Sequence, residues 1–287
     1  MTSPAGIRPS TQSTTASPST ANTPATIVVP LDGSDYSQRA VPIASWCADR
    51  FDADLIAVKT PMTNDDAVRS TMPLWLVELV ADDRYPRLRA CVADDDDPVD
   101  AVAAVVHANR DSVVCMSTHA RGVVGTAALG NVAEHVVREV GVPVLLVGPH
   151  CAEAPFEHGP VVVCHDGSPA ADAILEPARV WARGLDAPIV LVHVYHPLDT
   201  ATADDPQSVI NPALASLGRG ARAEVIAGSF AAGAIRNLAH ELDASMIALS
   251  THGHRGLSRV VMGSVASWVT REGPCPVLAV RPRYFEH

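Results

Sequence analysis

The sequence predicts an α/β protein built from two repeated, doubly wound domains, each with five parallel strands in a Rossmann-like arrangement. The first observation behind this prediction is an internal repeat. The segment TIVVPLDGSDYSQRA in the first half of the chain has a second version, PVVVCHDGSPAADA, in the second half. Asp32 and Asp166 lie 134 positions apart, and Gly130 and Gly263 lie 133 apart. Because the offset holds along the whole chain, the chain contains two copies of one unit.

The second observation is the order of apolar patterns within each copy. In the second copy, a β-branched run over residues 161–165 predicts the first strand, and apolar residues at helical spacing predict a helix over about 169–183. The segments that follow predict the strands APIVLVHV and RAEVIAG, the helix AAGAIRNLAHEL, the strand ASMIALS, a helix over about 264–271 and the strand PVLAV. Continuous Val, Ile and Leu runs are typical of parallel strands that helices cover on both faces.

The repeat and the composition set the domain boundaries. We predict a first domain over residues 25–150, a second domain over residues 157–283, and a connecting segment rich in Pro, Gly and His between them. Residues 1–24 are almost entirely Ser, Thr, Pro, Ala and Asn. Such a segment cannot bury enough apolar surface to offset its conformational entropy, so we expect a disordered tail.

Composition and charge argue against several classes of function. The 287 residues are 47% hydrophobic, which suffices for two domains with their own cores. The net charge of −11 argues against nucleic acid as a partner, because phosphate backbones need clustered Lys and Arg. No apolar run reaches the roughly 18 residues of a membrane helix. The N-terminal segment lacks an apolar core like that of a signal peptide, so we do not expect secretion. The six cysteines have no metal-ligand spacing, so we expect no metal site and a reduced, cytoplasmic protein.

A glycine-rich loop after the fourth strand of the second copy indicates an anionic ligand. The segment STHGHRGLSRVVMGSV runs from Ser250 to Val265 and contains Gly253 and Gly263. Glycine permits a positive φ or a close approach of the backbone to a ligand. The loop leads into a helix that begins near Ser264, and the free N–H groups of a helix N-terminus attract anions.

Two further features of the second copy fall at the ends of neighbouring strands. Asp166 follows the first strand, and Val194 ends the second. In open α/β sheets, ligands lie beyond the carboxyl ends of the strands, where the strand order reverses. Asp166 would accept hydrogen bonds from a ribose or a base edge, and Val194 would supply an apolar wall for a purine. Each feature also has a purely structural explanation, since Asp-Gly-Ser is a common turn and Gly263 would allow close packing of a helix on a strand.

Both copies resemble the universal stress protein family over nearly their full length. The pattern of that family is G-x2-G-x9-G-[ST] after the fourth strand, together with an aspartate after the first. The second copy reads Ser250-x2-Gly253-x9-Gly263-Ser264, with Asp166 in the aspartate position. Three of the four loop positions are kept, and a serine replaces the first glycine.

The resemblance implies both a ligand and an assembly. The implied fold is that of the adenine nucleotide alpha hydrolase-like domains, and the implied ligand is ATP, with or without Mg²⁺. The cofactor-binding residues carried over from the family pattern are Asp166, Val194, Ser250, Gly253, Gly263, Ser264 and Val265. Single-copy members pair through their last strand, so VPVLLVG and CPVLAVR are expected to lie together in an intramolecular pseudo-dimer. A homodimer of whole chains would be a further step, and no catalytic residue is expected.

The first copy departs further from the family pattern. Its weaker candidates are Asp32, Gly130 and Asn131, and its loop has Ala120 where the second copy has Gly253. Lys59-Thr60 replaces His193-Val194. We therefore expect an ATP-binding regulatory protein of stress responses that uses mainly its second copy. Two alternatives are a nucleotide-free interaction module with degenerate pockets and a slow nucleotide hydrolase.

Overall fold

A computed structural model describes residues 23–59, 72–93, 95–118, 129–152, 156, 159–198, 205–252 and 262–282. In these ranges the strands form one ten-stranded sheet in the order β3-β2-β1-β4-β5-β10-β9-β6-β7-β8. Its strands are β1 (Thr26–Leu31), β2 (Asp54–Lys59), β3 (Leu88–Val92), β4 (Ser112–Ser117), β5 (Val144–Val147), β6 (Val161–Cys164), β7 (Ile189–Tyr195), β8 (Ala221–Ala227), β9 (Met246–Ser250) and β10 (Val277–Val280). Most of the predicted tail, residues 1–24, lies outside the described ranges.

Nine helices and one 3₁₀ turn connect the strands within the described ranges. They are α1 (Asp35–Gln38), α2 (Ala40–Phe51), α3 (Leu74–Val80), α4 (Pro98–Ala108), α5 (Asn131–Glu139), the 3₁₀ turn (Ala171–Ile174), α6 (Leu175–Gly184), α7 (Pro206–Leu217), α8 (Ala231–Glu241) and α9 (Ser264–Glu272). One face of the sheet is covered by α2, α3, α6 and α7, and the other by α4, α5, α8 and α9. None of the described helices is both long and apolar enough to cross a lipid bilayer.

The two halves meet at the antiparallel pair β5 and β10. Leu278 lies opposite Leu145, and Val277 lies opposite Leu146. All the other strand pairs are parallel, so this seam is the point where the strand direction reverses. The prediction that VPVLLVG and CPVLAVR pair in an intramolecular pseudo-dimer is therefore confirmed, as is the prediction of two repeated, doubly wound units.

The core lies on both faces of the sheet, as the continuous apolar strands predict. Every residue of β5 is buried, and so are the first three residues of β6 and of β10. Full burial of one Leu or Val side chain contributes about 1.5–3 kcal/mol. Strands buried on both faces gain this contribution at every position, which is why they need no polar alternation.

Helices of the two halves also contact each other over the seam. The rings of Phe51 on α2 and Trp181 on α6 meet edge to face, with centroids 4.9 Å apart. The connecting segment packs as well, because Arg39 of α1's C-cap donates to the carbonyl oxygens of Pro149 and Cys151 at 3.1 and 3.3 Å. The segment between the domains is thus held against the first half.

The helix between the second and third strands of the second copy is one of the elements whose limits the sequence pattern did not indicate. Helix α7 begins at Pro206, with Asp205 as its N-cap, and contains Pro212 in its interior. A proline inside a helix removes one hydrogen bond, so proline-containing segments do not indicate a continuous helix. In α6, by contrast, Pro177 stands in the first turn, where its missing N–H has no intrahelical partner to lose.

Candidate functional site

The candidate site of the second half lies at the carboxyl edge of the sheet, where the strand order reverses. Strand β6 is flanked by β7 on one side and by β9 on the other. The chain proceeds from β6 outward to β7 and β8, then returns to β9. The ends of these strands bring Asp166, Val194 and Ser250 to the same edge. Such a reversal is where open α/β sheets hold ligands.

The turn after β6 holds the carboxylate of Asp166 in place. Its Oδ1 accepts hydrogen bonds from the backbone N–H of Ser168 at 3.0 Å and from the Ser168 hydroxyl at 2.5 Å. Gly167 adopts a φ of +82°, which favours glycine. A Cβ at this position would also lie 2.3 Å from Cγ1 of Val209 on α7. The turn is therefore fixed by its own hydrogen bonds and packing, and it orients the Asp166 carboxylate.

The wall beside this turn is formed by the end of β7. Val194 is half-buried, and a Cβ at Gly228 would lie 3.6 Å from its Cγ1. The backbone N–H of Gly228 donates to the carbonyl oxygen of Tyr195 at 2.9 Å, which ties the end of β8 to the end of β7. A half-buried valine at this edge leaves an apolar surface that a flat ring would cover.

The glycine loop is closed at its base by a backbone hydrogen bond. The N–H of Gly263 donates to the carbonyl oxygen of Thr251 at 2.8 Å, and the N–H of Thr251 donates to Val280 at 2.9 Å. Residues 253–261, which include Gly253, lie outside the described residues. The two ends of the loop are therefore fixed to the sheet edge beside Asp166.

Gly263 does not have the conformation that would require glycine. Its φ is −61° and its ψ is 158°, which any residue adopts. Among the described residues, a Cβ there would meet only the Thr251 carbonyl oxygen, at an ordinary contact distance of 3.5 Å. Neither a positive φ nor packing against the described residues explains this glycine. A residue without a side chain at this position leaves space at the start of α9.

Helix α9 presents an uncapped N-terminus next to this glycine. Gly263 is its N-cap, and no side chain among the described residues caps the first turn. Ser264 and Val265 are exposed. The first N–H groups of a helix have no intrahelical partners and carry a partial positive charge, so this end suits an anion.

Two of the three buried histidines that the structure describes at this edge, His165 and His193, form hydrogen bonds around the Asp166 turn. Nδ1 of His165 accepts from the N–H of Gly167 at 3.1 Å, so Nε2 carries the proton and donates to Asp172 at 3.0 Å. Nδ1 of His193 donates to the carbonyl oxygen of His165 at 2.9 Å. Three of the four ring nitrogens thus support the turn around Asp166. His165 and Asp172 were not among the residues predicted from the sequence, although a histidine directly before Asp-Gly-Ser is a visible difference between the copies.

The first half repeats the same backbone frame. Oδ1 of Asp32 accepts from the N–H and hydroxyl of Ser34 at 2.8 and 2.6 Å. The N–H of Gly130 donates to the carbonyl oxygen of Thr118 at 2.8 Å, and Gly130 is the N-cap of α5, which begins at Asn131. The weaker candidates of the first half therefore occupy positions equivalent to those of the second.

Side chains, however, distinguish the first half from the second. The indole of Trp75 lies 3.0 Å from where a Cβ of Gly33 would stand. In the second half, the side chain beside the equivalent Gly167 is that of Val209. Lys59 ends β2 where His193 continues β7. Ala120 and Thr60 lie outside the described residues. Trp75 was not predicted to contact the turn, because the limits of its helix were not indicated by the sequence.

The cysteines and acidic groups of the described residues offer no further chemistry at this edge. Burial raises the pKa of the Cys151 and Cys164 thiols to about 12, so both stay protonated at neutral pH. A protonated thiol is neither a nucleophile nor a metal ligand. In the part of the chain that is described, no group of three His, Cys, Asp or Glu side chains is placed to hold a metal ion.

Comparison with known proteins decides the family. The family model of the universal stress proteins matches the chain twice, over residues 25–148 and 158–281. The chain belongs to the universal stress protein family. The two matches also confirm the tandem arrangement.

Individual relatives of this universal stress protein are distant in sequence. A universal stress protein of Mycobacterium tuberculosis is 26% identical over 190 residues, which cover 60% of this chain and 63% of that protein. The match thus spans less than two thirds of the relative's length. A crystal structure of a universal stress protein from Pseudomonas aeruginosa shares the fold with a TM-score of 0.67, at 18% identity over 91% of this chain and 94% of that one. One from Archaeoglobus fulgidus gives 0.64, at 18% identity over 90% and 98%.

Proposed function

We propose that this chain is an ATP-binding regulatory protein of stress responses, with the nucleotide held by its second half. The observation that carries the proposal is Gly263. Its backbone conformation does not require glycine, no described residue packs closely where its Cβ would stand, and it lies at the start of α9. A phosphate group at this helix N-terminus explains why a side chain is absent there.

The other parts of the site suit a nucleoside. The fixed carboxylate of Asp166 accepts hydrogen bonds and suits ribose hydroxyls, and the half-buried Val194 suits one face of a purine. The residues that would hold ATP are Asp166, Val194, Ser250, Gly253, Gly263, Ser264 and Val265. Mg²⁺, where present, would be held mainly by the phosphates, because this ion keeps several waters and few protein ligands.

Binding, rather than catalysis, is the activity that the side chains support. His165 uses both ring nitrogens within the protein, and His193 uses Nδ1. A general base must reach the proton that it removes, and ring nitrogens already bonded to backbone or carboxylate groups are poorly suited to that role. We therefore propose that the protein acts through nucleotide-dependent association, and not as a rapid hydrolase.

Mass spectrometry of the gently purified, then denatured, full chain tests this proposal. We expect an adenine nucleotide, and titration calorimetry of nucleotide-free protein with ATP and Mg²⁺ should give about one site per chain. Phosphate release by the same sample should stay at the level of a protein-free control. No bound nucleotide together with no heat of binding would overturn the proposal and favour the interaction module. Rapid phosphate release would favour the hydrolase.

A further inference from the structure

A cleft in the second half lies at the edge of the sheet opposite to the Asp166 turn. It has a volume of about 520 Å³ and lies at the amino ends of β7 and β8, beside the C-termini of α6 and α7. Ile189, Leu217 and Ala221 are apolar residues of its lining, and Arg179, Arg183 and Asp186 are charged ones. The volume is in the range that holds small organic ligands.

The equivalent place in the first half is spanned by an ion-pair cluster. The strand pairings make Leu55 equivalent to Ile189 and Leu88 equivalent to Ala221. Arg87, directly before β3, reaches across to α2's C-terminus. Its guanidinium lies 3.1 Å from Asp49 Oδ1 and 2.7 Å from Asp52 Oδ1.

Two of these three charged positions differ in the second half. The residue before β8 is Gly220 in place of Arg87, and the helix position equivalent to Asp49 is Arg183. The third position is an aspartate in both halves. Asp186 is equivalent to Asp52, and both have a left-handed backbone, with φ values of 52° and 53°. The second half therefore has no arginine at the position from which Arg87 spans the first half, and one charge at the rim of its cleft has the opposite sign.

In the second half, no described residue takes the place that the Arg87 side chain takes in the first. A Cβ at Gly220 would have no atom of the described residues within 4 Å. Arg179 is paired with Glu176 at 2.6 Å. Within the described residues, the Arg183 guanidinium and the Asp186 carboxylate have no ion-pair partner. An arginine without a partner beside an apolar floor is a place where an anionic group gains a charge-assisted hydrogen bond.

We propose that this cleft binds a small organic anion with an apolar body. The acidic head lies on the guanidinium of Arg183, and the apolar body covers Ile189, Leu217 and Ala221. An anion is favoured over a cation because Arg183 reverses the charge of the equivalent Asp49, and because the carboxylate that pairs with Arg179, that of Glu176, lies outside the lining of the cleft. The cleft lies at the opposite edge of the sheet from the proposed nucleotide site, so this proposal stands independently of it.

Octanoate is the probe that tests this proposal, because it combines a carboxylate with an aliphatic chain. We expect octanoate to shift the backbone amide signals of Gly220, Ala221 and Ile189 in ¹H–¹⁵N spectra of the full chain, with one site per chain. Octylamine, which has the same tail and the opposite charge, should shift them at least tenfold less at equal concentration. Equal shifts with both probes, or none with octanoate, would overturn the proposal.

A pair of reciprocal variants uses the two halves as controls for each other. Arg183→Asp with Gly220→Arg rebuilds the first-half cluster and should lower octanoate affinity at least tenfold. Both positions are exposed or open, so the fold should be kept. Asp49→Arg with Arg87→Gly opens the first half and should add a second set of shifts at Leu55 and Leu88. Unchanged affinity in the first double variant would show that the cleft is not the site and would overturn the proposal.

Discussion

The two halves fix an aspartate after their first strand in the same way, yet they surround it with different side chains. Asp32 and Asp166 each accept from the backbone and hydroxyl of a serine two residues later. A histidine precedes the aspartate only in the second half, where the first half has Leu31. The backbone arrangement of this turn is therefore common to both halves, and the halves differ in the side chains around it.

The same lesson holds for the glycine loops. In both halves the base of the loop is closed by a 2.8 Å hydrogen bond from a glycine N–H to a threonine carbonyl oxygen. The two loops differ between these closed ends, where the first carries Ala120 in place of Gly253. In each half, this backbone hydrogen bond ties the residue before the helix to the end of the fourth strand.

The largest expected effect is a loss of stability at the seam, where β5 and β10 join the two halves. Leu278→Asp puts a carboxylate opposite Leu145 in the fully buried pair of β5 and β10. An unpaired buried charge should lower the free energy of unfolding by about 4 kcal/mol or more. Urea unfolding followed by circular dichroism measures this loss. Val225→Asp, on the outer strand β8, is the control and should cost less than half as much. Equal losses would contradict a seam that unites the halves.

The second prediction sharpens the contrast between the two loops. Gly263→Val should lower ATP affinity at least tenfold in calorimetry, because the added side chain fills the space at the start of α9. Its free energy of unfolding should change by about 1 kcal/mol or less, since the N-cap position has an ordinary φ and no close neighbour.

Gly130→Val is the matched control and should leave ATP affinity unchanged. If both glycine variants bind ATP like the wild type, the space at Gly263 is not a phosphate subsite. If both lose affinity equally, the two halves share the nucleotide and the proposed asymmetry is wrong.

The third prediction compares the two aspartates. Asp166→Ala should weaken ATP binding by about 1–3 kcal/mol, which is the range for a hydrogen bond to a charged group. Asp32→Ala should leave the affinity nearly unchanged. Both variants lose the same hydrogen bonds to their serine, so their unfolding free energies should fall by similar amounts. Similar losses of ATP affinity in the two variants would instead place the ligand in both halves.

Much of the fold could be predicted from the sequence because strands buried on both faces have a clear apolar pattern. The runs that became β5, β6 and β10 are continuous and apolar, and the repeat offset aligns the two halves. The pattern could not delimit α7, since Pro212 interrupts the helical signal. It also could not explain Gly263, because a glycine required for its conformation and a glycine that leaves room for a ligand look the same in a sequence. Only the backbone angles and the neighbouring atoms separate the two.

The smallest expected effect concerns the histidine that the first half lacks. Asp172→Ala removes the acceptor of the His165 Nε2–H, and a hydrogen bond of this kind contributes about 0.5–1.5 kcal/mol to stability. The loss should lie in the lower part of this range, because the Asp172 side chain is 60% exposed. Asp172→Asn keeps an acceptor oxygen and should retain most of the stability.

Gln38→Ala, at the equivalent position of the first half, is the control and should change the unfolding free energy less than Asp172→Ala. Nδ1 of His165 accepts the N–H of Gly167, so His165 links Asp172 to the turn around Asp166. A measurable loss of stability only in Asp172→Ala would mean that this link stabilises the turn in the second half, and that the first half has no such hydrogen bond. Equal effects of Asp172→Ala and Gln38→Ala would mean that the histidine adds nothing to the common frame.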